Sequence, residues 1–374
     1  MYSKNAKQRV TELLSIAGIT VNGNAPWDIQ VHNDNFYERV LAGGSLALGE
    51  SYMEKWWDSE RPDEFISHIL NTNLENIIKK STKLKAEIML TKILNYQTQS
   101  RALDNIHMHY DMGNEVFSKT LDKRMVYSCA YWKDATTLDE AQENKLELAC
   151  RKLKLEPGMH VLDIGSGWGS FAKFAAENYD VRVTGISISE EQVKFSKKVC
   201  EGLPVEIKLM DYRELDQKFD RIASFGMFEH VGHKNHHIYM QTASRCLVDD
   251  GLFLLETIGN PVTRTHPDLW MNKYIFPNSV MPSITQMGKA IEGIFLIEDL
   301  HNFAADDYVK MMLAWHDNFI SNWNDLKDKY DETFYRMWTY YLLFCTGGFR
   351  ARRNVLWQFV LSKRSRPGEY LSER

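Results

Sequence analysis

The sequence predicts an α/β protein with a doubly wound, mostly parallel sheet, preceded by a smaller and mostly helical N-terminal domain. From residue 161 onward, short apolar runs typical of strands alternate with segments of helical periodicity. This alternation is typical of parallel sheets with right-handed crossovers. The first ~105 residues show helical periodicity without the alternation, which indicates a separate domain of ordinary size.

In the N-terminal region, glycines, prolines and polar clusters separate the helical patterns. The predicted helices are 3–17, 34–41, 45–57, 62–70 and 72–93, and the last is long, basic and amphipathic. The polar segment that follows is short of branched residues and is predicted to be part of a linker. The predicted domains are therefore 1–94 and 106–374, with a linker at 95–105.

The second region begins with a helix, because Thr137 and Glu140 have the spacing of a capping box and Pro157-Gly158 follows. The predicted strands are 161–164, 181–188, 205–210, 220–224 and 252–258. The predicted helices between them are 170–178, 190–200 and 236–247. Residues 307–362, rich in Trp, Tyr and Met, are predicted to be helical.

Composition restricts the class of protein. The 374 residues are 44% hydrophobic, and no run of about 18 apolar residues predicts a membrane span. The N-terminus does not have the pattern of a secretory signal. Five scattered cysteines without a Cys-x-x-Cys pair argue against a disulfide scaffold and a clustered zinc site. We expect an enzyme or binding protein of a reducing compartment such as the cytoplasm.

The net charge of −5 is unevenly distributed. Residues 78–101 carry six cations against Glu87, and residues 341–374 carry seven cations against two acids, so each segment has a net charge of +5. The cations are Lys79, Lys80, Lys83, Lys85, Lys92 and Arg101, and then Arg350, Arg352, Arg353, Lys363, Arg364, Arg366 and Arg374. Basic segments on an acidic chain indicate nucleic acid or an anionic membrane as partner, although solvated helix faces explain each segment about as well.

A glycine-rich loop follows the first strand of the sheet. It reads Asp163-Ile-Gly165-Ser-Gly167-Trp168-Gly169 and leads directly into a helix. The spacing differs from the dinucleotide-binding pattern, and no phosphate-binding Lys-Ser/Thr follows. An acidic residue two positions before the first glycine resembles motif I of S-adenosylmethionine-dependent methyltransferases, in which the loop holds the amino-acid end of the cofactor. A structural loop carboxylate is the alternative for Asp163.

The next strands also end in candidate cofactor contacts. Ser187, Ile188 and Gln192 follow the second strand, where ribose and adenine contacts are expected, and Asp211-Tyr212 follow the third. Gly226 lies after the fourth. Carboxyl ends of parallel strands meet at one crevice of an open sheet, so these residues are expected to face the same ligand.

Further candidate residues surround this crevice. Glu229 follows the fourth strand in the run FGMFEHVG, and Glu256 closes the fifth in LLETIG. Upstream, Tyr127-Ser128-Cys129 begins an aromatic-rich segment that is predicted to cap the site.

Several of these motifs together resemble the cyclopropane-fatty-acyl-phospholipid synthases. HYDMGNEVF, YSCAYW, VLDIGSGWGS, FEHVG, WMNKYIFP and CTGGFRAR occur in the order of that family, and the resemblance extends from about residue 7 to the end. Mycolic-acid methyltransferases resemble only the catalytic half. The family has the Rossmann-like class I methyltransferase fold.

The resemblance implies the reaction. A methyl group passes from S-adenosylmethionine, leaving S-adenosylhomocysteine, to the cis double bond of an acyl chain in a membrane phospholipid. The resulting carbocation loses a proton as the ring closes. In the family a bound bicarbonate is the base, and the residues implied to hold it are Cys129, Glu229, the amide of Ile258 and Tyr308.

Position 256 departs from the family, whose members usually have His where this chain has Glu256. Two carboxylates in one pocket repel bicarbonate unless one is protonated or offset by a cation. We therefore expect Glu256, if it points into the pocket, to be partly protonated or to weaken bicarbonate binding, which leaves bicarbonate only a possible cofactor.

Other residues receive ordinary interpretations. Cys345 is expected to be a buried small residue rather than a nucleophile, and the histidines 230, 233, 236 and 237 lack the accompanying ligands of a metal site. The predicted partners are phospholipid acyl chains and an anionic membrane surface that the N-terminal domain docks on, at the inner face of the cytoplasmic membrane. A homodimer is left open.

Three alternatives stay open. They are a lipid methyltransferase that makes methyl-branched chains or uses a small polar acceptor, a catalytically inactive lipid-binding relative, and a nucleic-acid methyltransferase. The last is disfavoured because FEHVG stands where a base-holding Asn/Asp-Pro-Pro-Tyr/Phe segment would occur.

Overall fold

The computed structural model describes residues 2–72, 74, 77 and 113–374. They form two compact units. The helical unit comprises the described residues up to 113 together with 267–277 and 315–353, and the sheet unit comprises 114–266, 278–314 and 354–374. Most of the predicted helix 72–93, the predicted linker 95–105 and the cations at 79–101 lie outside the described residues.

The described elements follow one another along the chain. Up to residue 187 they are α1 (Tyr2–Ile16), β1 (Gln30–Val31), α2 (Phe36–Met53), β2 (Trp57–Asp58), α3 (Pro62–Asn71), α4 (Asn114–Thr120), α5 (Leu138–Lys152), β3 (His160–Ile164), α6 (Ser170–Tyr179) and β4 (Arg182–Ser187). Next come α7 (Glu190–Val199), β5 (Val205–Leu209), a 3₁₀ turn (Tyr212–Glu214), β6 (Phe219–Phe225), α8 (Phe228–Val231), α9 (His236–Cys246) and β7 (Leu247–Gly259). The last are α10 (Leu269–Tyr274), α11 (Ile284–Ile291), β8 (Leu296–Asn302), α12 (Ala305–Ser321), α13 (Trp323–Leu326), α14 (Glu332–Arg350) and β9 (Val355–Ser362).

Buried aromatic side chains hold the helical unit together. Trp57 contacts Tyr52 and Phe65 with ring centroids 5.0 Å away in each case, and Trp270 lies 4.6 Å from Tyr340. A Cβ added to Gly347 on α14 would lie 2.7 Å from the backbone oxygen of Asp63, so only glycine permits this close approach of α14 to α3. C-terminal residues therefore complete the core of the N-terminal helices, and the units divide the chain differently from the predicted contiguous domains.

The sheet unit contains a seven-stranded sheet in the order β5-β4-β3-β6-β7-β9-β8. The first five strands are parallel, and β9 runs antiparallel to both of its neighbours. This arrangement confirms the predicted α/β class and the mostly parallel sheet. The predicted capping box is present at Thr137 and Glu140, at the start of α5.

One sequence prediction is wrong near the C-terminus. The tail 307–362 is not helical throughout, because residues 355–362 form β9. Its run VLWQFVLS is rich in β-branched and aromatic residues. The backbone of β9 forms hydrogen bonds with β7 on one side and with β8 on the other. The predicted break between helices 34–41 and 45–57 is present as non-helical backbone at Gly44 within α2, although α2 ends at Met53.

The two faces of the sheet have separate apolar cores. Leu252 and Leu254 of β7 pack with residues of α5 and α6, whereas Phe253 and Leu255 pack with residues of α9 and α11. This alternation also determines that Glu256 lies on the face of Leu254, beneath α5. No helix within residues 2–72 and 113–374 is long and apolar enough to cross a membrane.

A buried carboxylate in the helical unit gives a test of folding. Asp63 is 1% exposed and accepts hydrogen bonds from Arg61 (Nε, 3.0 Å, and Nη2, 2.9 Å) and from Arg350 (Nη2, 2.8 Å). Burial acts to raise the pKa of Asp63, but the two guanidinium groups outweigh it and hold the pKa below its ordinary value of 3.8.

We expect Asp63→Asn to lower the free energy of unfolding by about 2 kcal/mol at neutral pH in urea titrations, because two guanidinium groups lose their anion. Since the folded pKa is depressed, this stabilisation is present above the unfolded pKa and is lost as pH falls through the folded pKa. Glu64→Gln is the matched control, because Glu64 also pairs with Arg61 (3.1 Å) but is more exposed, and its cost should stay below ~1 kcal/mol. Equal costs for the two variants would contradict the prediction.

Candidate active site

The loop between β3 and α6 is open on one side. Gly165 and Gly167 both have positive φ, and within 4 Å of a Cβ built at Gly167 there is no other atom. The loop is anchored from behind, where the amides of Gly165 and Ser166 donate to the backbone oxygen of Ile186 (3.0 and 2.9 Å). A ligand can therefore approach the backbone here.

Asp163 lies at the base of this loop and is 1% exposed. Neither oxygen of its carboxyl group has a hydrogen-bond partner among the described residues. Burial raises the pKa of Asp163 to about 7, and the nearby Lys145 opposes the shift. A buried carboxyl group with two unused acceptors beside an open glycine loop fits the amino group of S-adenosylmethionine, as the sequence predicts.

Aromatic side chains border the same loop. The ring of Trp168 lies 4.7 Å from Phe117 and 6.2 Å from Tyr127, and its Nε1 donates to Oδ1 of Asn114 (2.8 Å). Tyr127 and Trp168, which are both predicted to contact the cofactor, are thus neighbours in the structure. The hydroxyl of Ser128, the next residue, accepts from the ammonium of Lys145 (2.8 Å).

The ends of β4 and β5 hold the remaining predicted cofactor contacts. Ser187 donates from its hydroxyl to Oε1 of Gln192 (2.9 Å), and the side chain of Ile188 is 78% exposed. Asp211 already accepts from the Arg213 side chain (Nε, 2.8 Å, and Nη2, 2.7 Å), which lowers the pKa of its carboxyl group. An exposed apolar side chain suits contact with a flat ring, whereas Asp211 would have to share its acceptors with Arg213.

Tyr212 and Gly226 complete the set. Tyr212 is buried against the ring of Tyr239 (centroids 5.0 Å apart), and a Cβ built at Gly226 would meet no atom within 4 Å. The amide of Gly226 donates to the backbone oxygen of Glu256 (3.1 Å), which joins the end of β6 to β7.

Glu229 and the amide of Ile258 come together directly. Oε1 of Glu229 accepts from the Ile258 N–H at 2.5 Å, while Oε2 is buried without a hydrogen-bond partner among the described residues. β6 ends at Phe225, opposite Glu256, so the Ile258 amide is not used by that strand. Burial raises the pKa of Glu229 to about 7.

Cys129 is buried, and its thiol donates to the backbone oxygen of Ala130 (3.3 Å). Burial raises the pKa of this thiol well above its ordinary value, and the charges of Glu256 and Asp307 add to the shift. The thiol is therefore a neutral donor at neutral pH. Cys345, predicted to be buried, is half-buried, and desolvation still raises the pKa of its thiol to about 12, which argues against a nucleophile.

Tyr308 is 7% exposed and lies on α12. The segment after Cys129 is bound to the same helix, since the Ala130 amide donates to Sδ of Met311 (3.3 Å) and the Trp132 amide donates to Oδ1 of Asp307 (3.1 Å). Tyr308 thus lies on α12 between Asp307 and Met311, the two residues of this helix that bond to the segment after Cys129.

Glu256 is 1% exposed, and its Oε2 accepts from Nε2 of Gln358 (2.7 Å). Burial raises the pKa of Glu256, whereas Lys145, Gln358 and Lys152 lower it. These three residues are not among those predicted from the sequence. Lys145 and Lys152 lie four residues before and three residues after Ala149, so they fall on the predicted apolar face of α5. A charged residue on an apolar helix face is the sequence signal that could have identified them.

Bicarbonate fits this site less well than the cofactor. The Ile258 amide predicted to hold it already bonds to Glu229, and position 256 presents a second acidic group. Among the described residues no group of three or more His, Cys, Asp or Glu side chains is arranged to hold a metal ion.

Comparisons with known proteins place this geometry in a family. Residues 97–359 match the model of the mycolic acid cyclopropane synthetase family. Over 352 residues the chain is 51% identical to a cyclopropane-fatty-acyl-phospholipid synthase of Escherichia coli K12, covering 94% of this chain and 92% of that protein. It is also 34% identical over 278 residues to cyclopropane mycolic acid synthase 3 of Mycobacterium tuberculosis, covering 69% and 96%.

Solved structures agree with the sequence matches. The mycolic acid cyclopropane synthase CmaA1 complexed with SAH and CTAB is similar with a TM-score of 0.63 and 31% identity, covering 70% of this chain and 98% of that one. A coclaurine N-methyltransferase with 21% identity and a TM-score of 0.65 shows the shared fold alone. The chain belongs to the mycolic acid cyclopropane synthetase family.

Proposed function

We propose that this protein is a cyclopropane-fatty-acyl-phospholipid synthase, which transfers the methyl group of S-adenosylmethionine to the cis double bond of phospholipid acyl chains. The observation that carries the proposal is 51% identity along 94% of the chain to a protein of that activity, together with a buried acidic pocket beside the glycine loop. A methylated alkene becomes a carbocation, and ring closure then releases one proton to a base.

The residues of the chain have distinct roles in this proposal. Asp163 and the loop at Gly165 and Gly167 hold the cofactor, which supplies an electrophilic methyl group when bound. Glu229 is held by the Ile258 amide and presents its second oxygen to the acyl pocket. A buried acidic group stabilises positive charge that develops on an apolar chain, because little water screens it.

The neutral Cys129 thiol and Tyr308 complete the proposed pocket. Burial keeps Cys129 protonated, so it does not compete with the alkene for the methyl group. Water exclusion matters because water would trap the carbocation before the ring closes.

The test is mass spectrometry of phospholipids from a host that expresses the protein and lacks the activity. Cyclopropanation adds one methylene to unsaturated chains and consumes their double bonds. We expect Glu229→Gln to lower the rate by about 10²–10³. Glu201→Gln, which alters an exposed carboxylate, is the control and should act as the unaltered protein does.

Two results would overturn the proposal. Methyl-branched chains in place of rings would make the protein a branching lipid methyltransferase. Unmodified lipids in the presence of folded protein that binds S-adenosylmethionine would identify a lipid-binding relative.

Position 256 gives a second prediction. We expect Glu256→His to reduce by about tenfold the bicarbonate concentration needed for half-maximal activity, because a like charge beside the anion is removed. Glu256→Gln is the matched control for charge without an imidazole. The measurement is activity over a bicarbonate series, and an unchanged bicarbonate dependence in both variants would count against the idea.

We also propose that the protein docks peripherally on an anionic membrane. In the C-terminal basic segment, ion pairs within the protein use Arg350, Lys363, Arg366 and Arg374. Arg352 and Arg364 are exposed. Two exposed cations attract an anionic surface less strongly than the net charge of +5 of this segment suggests. The cations at residues 79–92 are therefore the stronger candidates for contact with lipid.

We expect the protein to sediment with anionic vesicles and to be released as salt is added. Replacing Lys79, Lys80, Lys83 and Lys85 by Gln should weaken binding by about 1 kcal/mol for each lysine that contacts the surface. The paired replacement Arg352→Gln with Arg364→Gln is the comparison and should weaken it less. Equal, salt-insensitive binding to neutral vesicles would refute electrostatic docking.

A further inference from the structure

Two fully buried lysines lie beneath the proposed active site. Lys145 and Lys152 are 1% and 0% exposed, and they stand seven residues apart on α5. Seven residues are two helical turns, so both side chains project from one face of the helix toward the sheet. Buried lysines are rare unless an anion or a strong acceptor compensates them.

Lys152 reaches Glu256 through one amide side chain. Its Nζ donates to Oε1 of Gln358 (2.8 Å), and Nε2 of the same Gln358 donates to Oε2 of Glu256 (2.7 Å). Glu256 and Gln358 are direct partners on β7 and β9, so the strand register fixes this bridge. An amide that accepts at one end and donates at the other is polarised by the ammonium group toward the carboxylate.

Lys145 approaches the same acidic group from the side of Ser128. Its Nζ donates to the Ser128 hydroxyl (2.8 Å) and lies 4.6 Å from the ring centroid of Phe225. Glu256 acts to raise the pKa of Lys145, and Lys145 in turn opposes the upward shift of the Glu256 pKa. The two lysines therefore stabilise the same negative charge.

Other titratable groups also surround Glu256 and its two lysines. Facing Glu256 and its lysines are Cys129 and Asp122 from the segment before α5, Asp163 from β3, Glu229 from α8, Asp299 and His301 from β8, and Arg374 from the C-terminal segment. Burial lowers the pKa of Lys152 to about 7 and that of His301 to about 3, so His301 is neutral and can accept from Lys152, whose Nζ lies 2.9 Å from its Nδ1. Glu229 accepts from the Ile258 amide, and among the described residues no lysine bonds to it.

We propose that Lys152, acting through Gln358, and Lys145 are positioning residues that hold Glu256 as a carboxylate in the acyl pocket. The pocket then has a fixed negative charge that faces the cation developing on the alkene. The inference rests on the proposed function for the role of that charge, but not for its existence. The environments of the two glutamates differ, so Glu256 is the more firmly ionised of the two.

The existence of the charge is tested without activity. Difference infrared spectra between the protein and Glu256→Gln report the protonated carboxyl group of residue 256 as pH is lowered. We expect Lys152→Met to raise the pH at which that signal appears by about one unit. A nearby opposite charge shifts the pKa of a carboxyl group by about one to three units, and the lower value is expected because Gln358 lies between Lys152 and Glu256. An unmoved signal would overturn the proposal even if the protein proves to be an active synthase.

The role of the charge is tested by pH profiles of lipid cyclopropanation. In Lys152→Met the acidic limb of kcat/KM should move to higher pH by the same amount, since Glu256 protonates earlier. In a Glu256→Gln background, Lys152→Met should no longer move the limb. A purely structural lysine would lower activity equally in both backgrounds without moving either limb, and that result would refute the positioning role.

Two further variants guard against misfolding. Gln358→Met keeps both charges and removes only the bridge, so it should move the infrared signal in the same direction by a smaller amount. Lys197→Met removes an exposed cation from α7 and should change neither measurement. If Lys152→Met fails to fold, Gln358→Met decides the question, and a signal that does not move in it excludes the bridge.

Discussion

The proposed active-site chemistry depends on how far β7 extends beyond its parallel neighbour. β6 ends opposite Glu256, whereas β7 continues to Gly259. The amide of Ile258 therefore has no ladder partner on that side, and the Glu229 carboxylate takes the bond at 2.5 Å. A buried amide without a partner is costly, so this hydrogen bond holds the glutamate in one place.

The same strand determines which acidic groups share the pocket. Every second side chain of a strand points to the same face, so residues 254, 256 and 258 share the face beneath α5. The pairing of β9 with β7 places Gln358 beside Glu256 on that face. Apolar residues fill most of this face, so any charge there needs compensation. Lys145 and Lys152 supply it from α5, which explains why two lysines occur on a mostly apolar helix surface.

The C-terminal basic segment has fewer cations available to a partner than its sequence suggests. Asp63, Asp249, Glu298 and Asp299 pair with four of the cations after residue 341, although they are distant in sequence. A basic segment is therefore partly a set of internal ion pairs. Only the folded chain shows which cations remain for a partner, because pairing depends on approach in space.

The sequence by itself determined the α/β class, the positions of the five parallel strands, the cofactor loop and the family, since periodicity and local motifs are properties of neighbouring residues. It also placed Asp163, Glu229 and Glu256 at strand ends. It did not reveal β8, β9 or the return of α14 to the N-terminal helices, because pairing of β9 and packing at Gly347 depend on contacts between distant segments. The compensation of Glu256 belongs to the same class. Its lysines and its glutamine lie more than 100 residues away in the chain, and only the register of β7 against β9 beneath α5 brings them together.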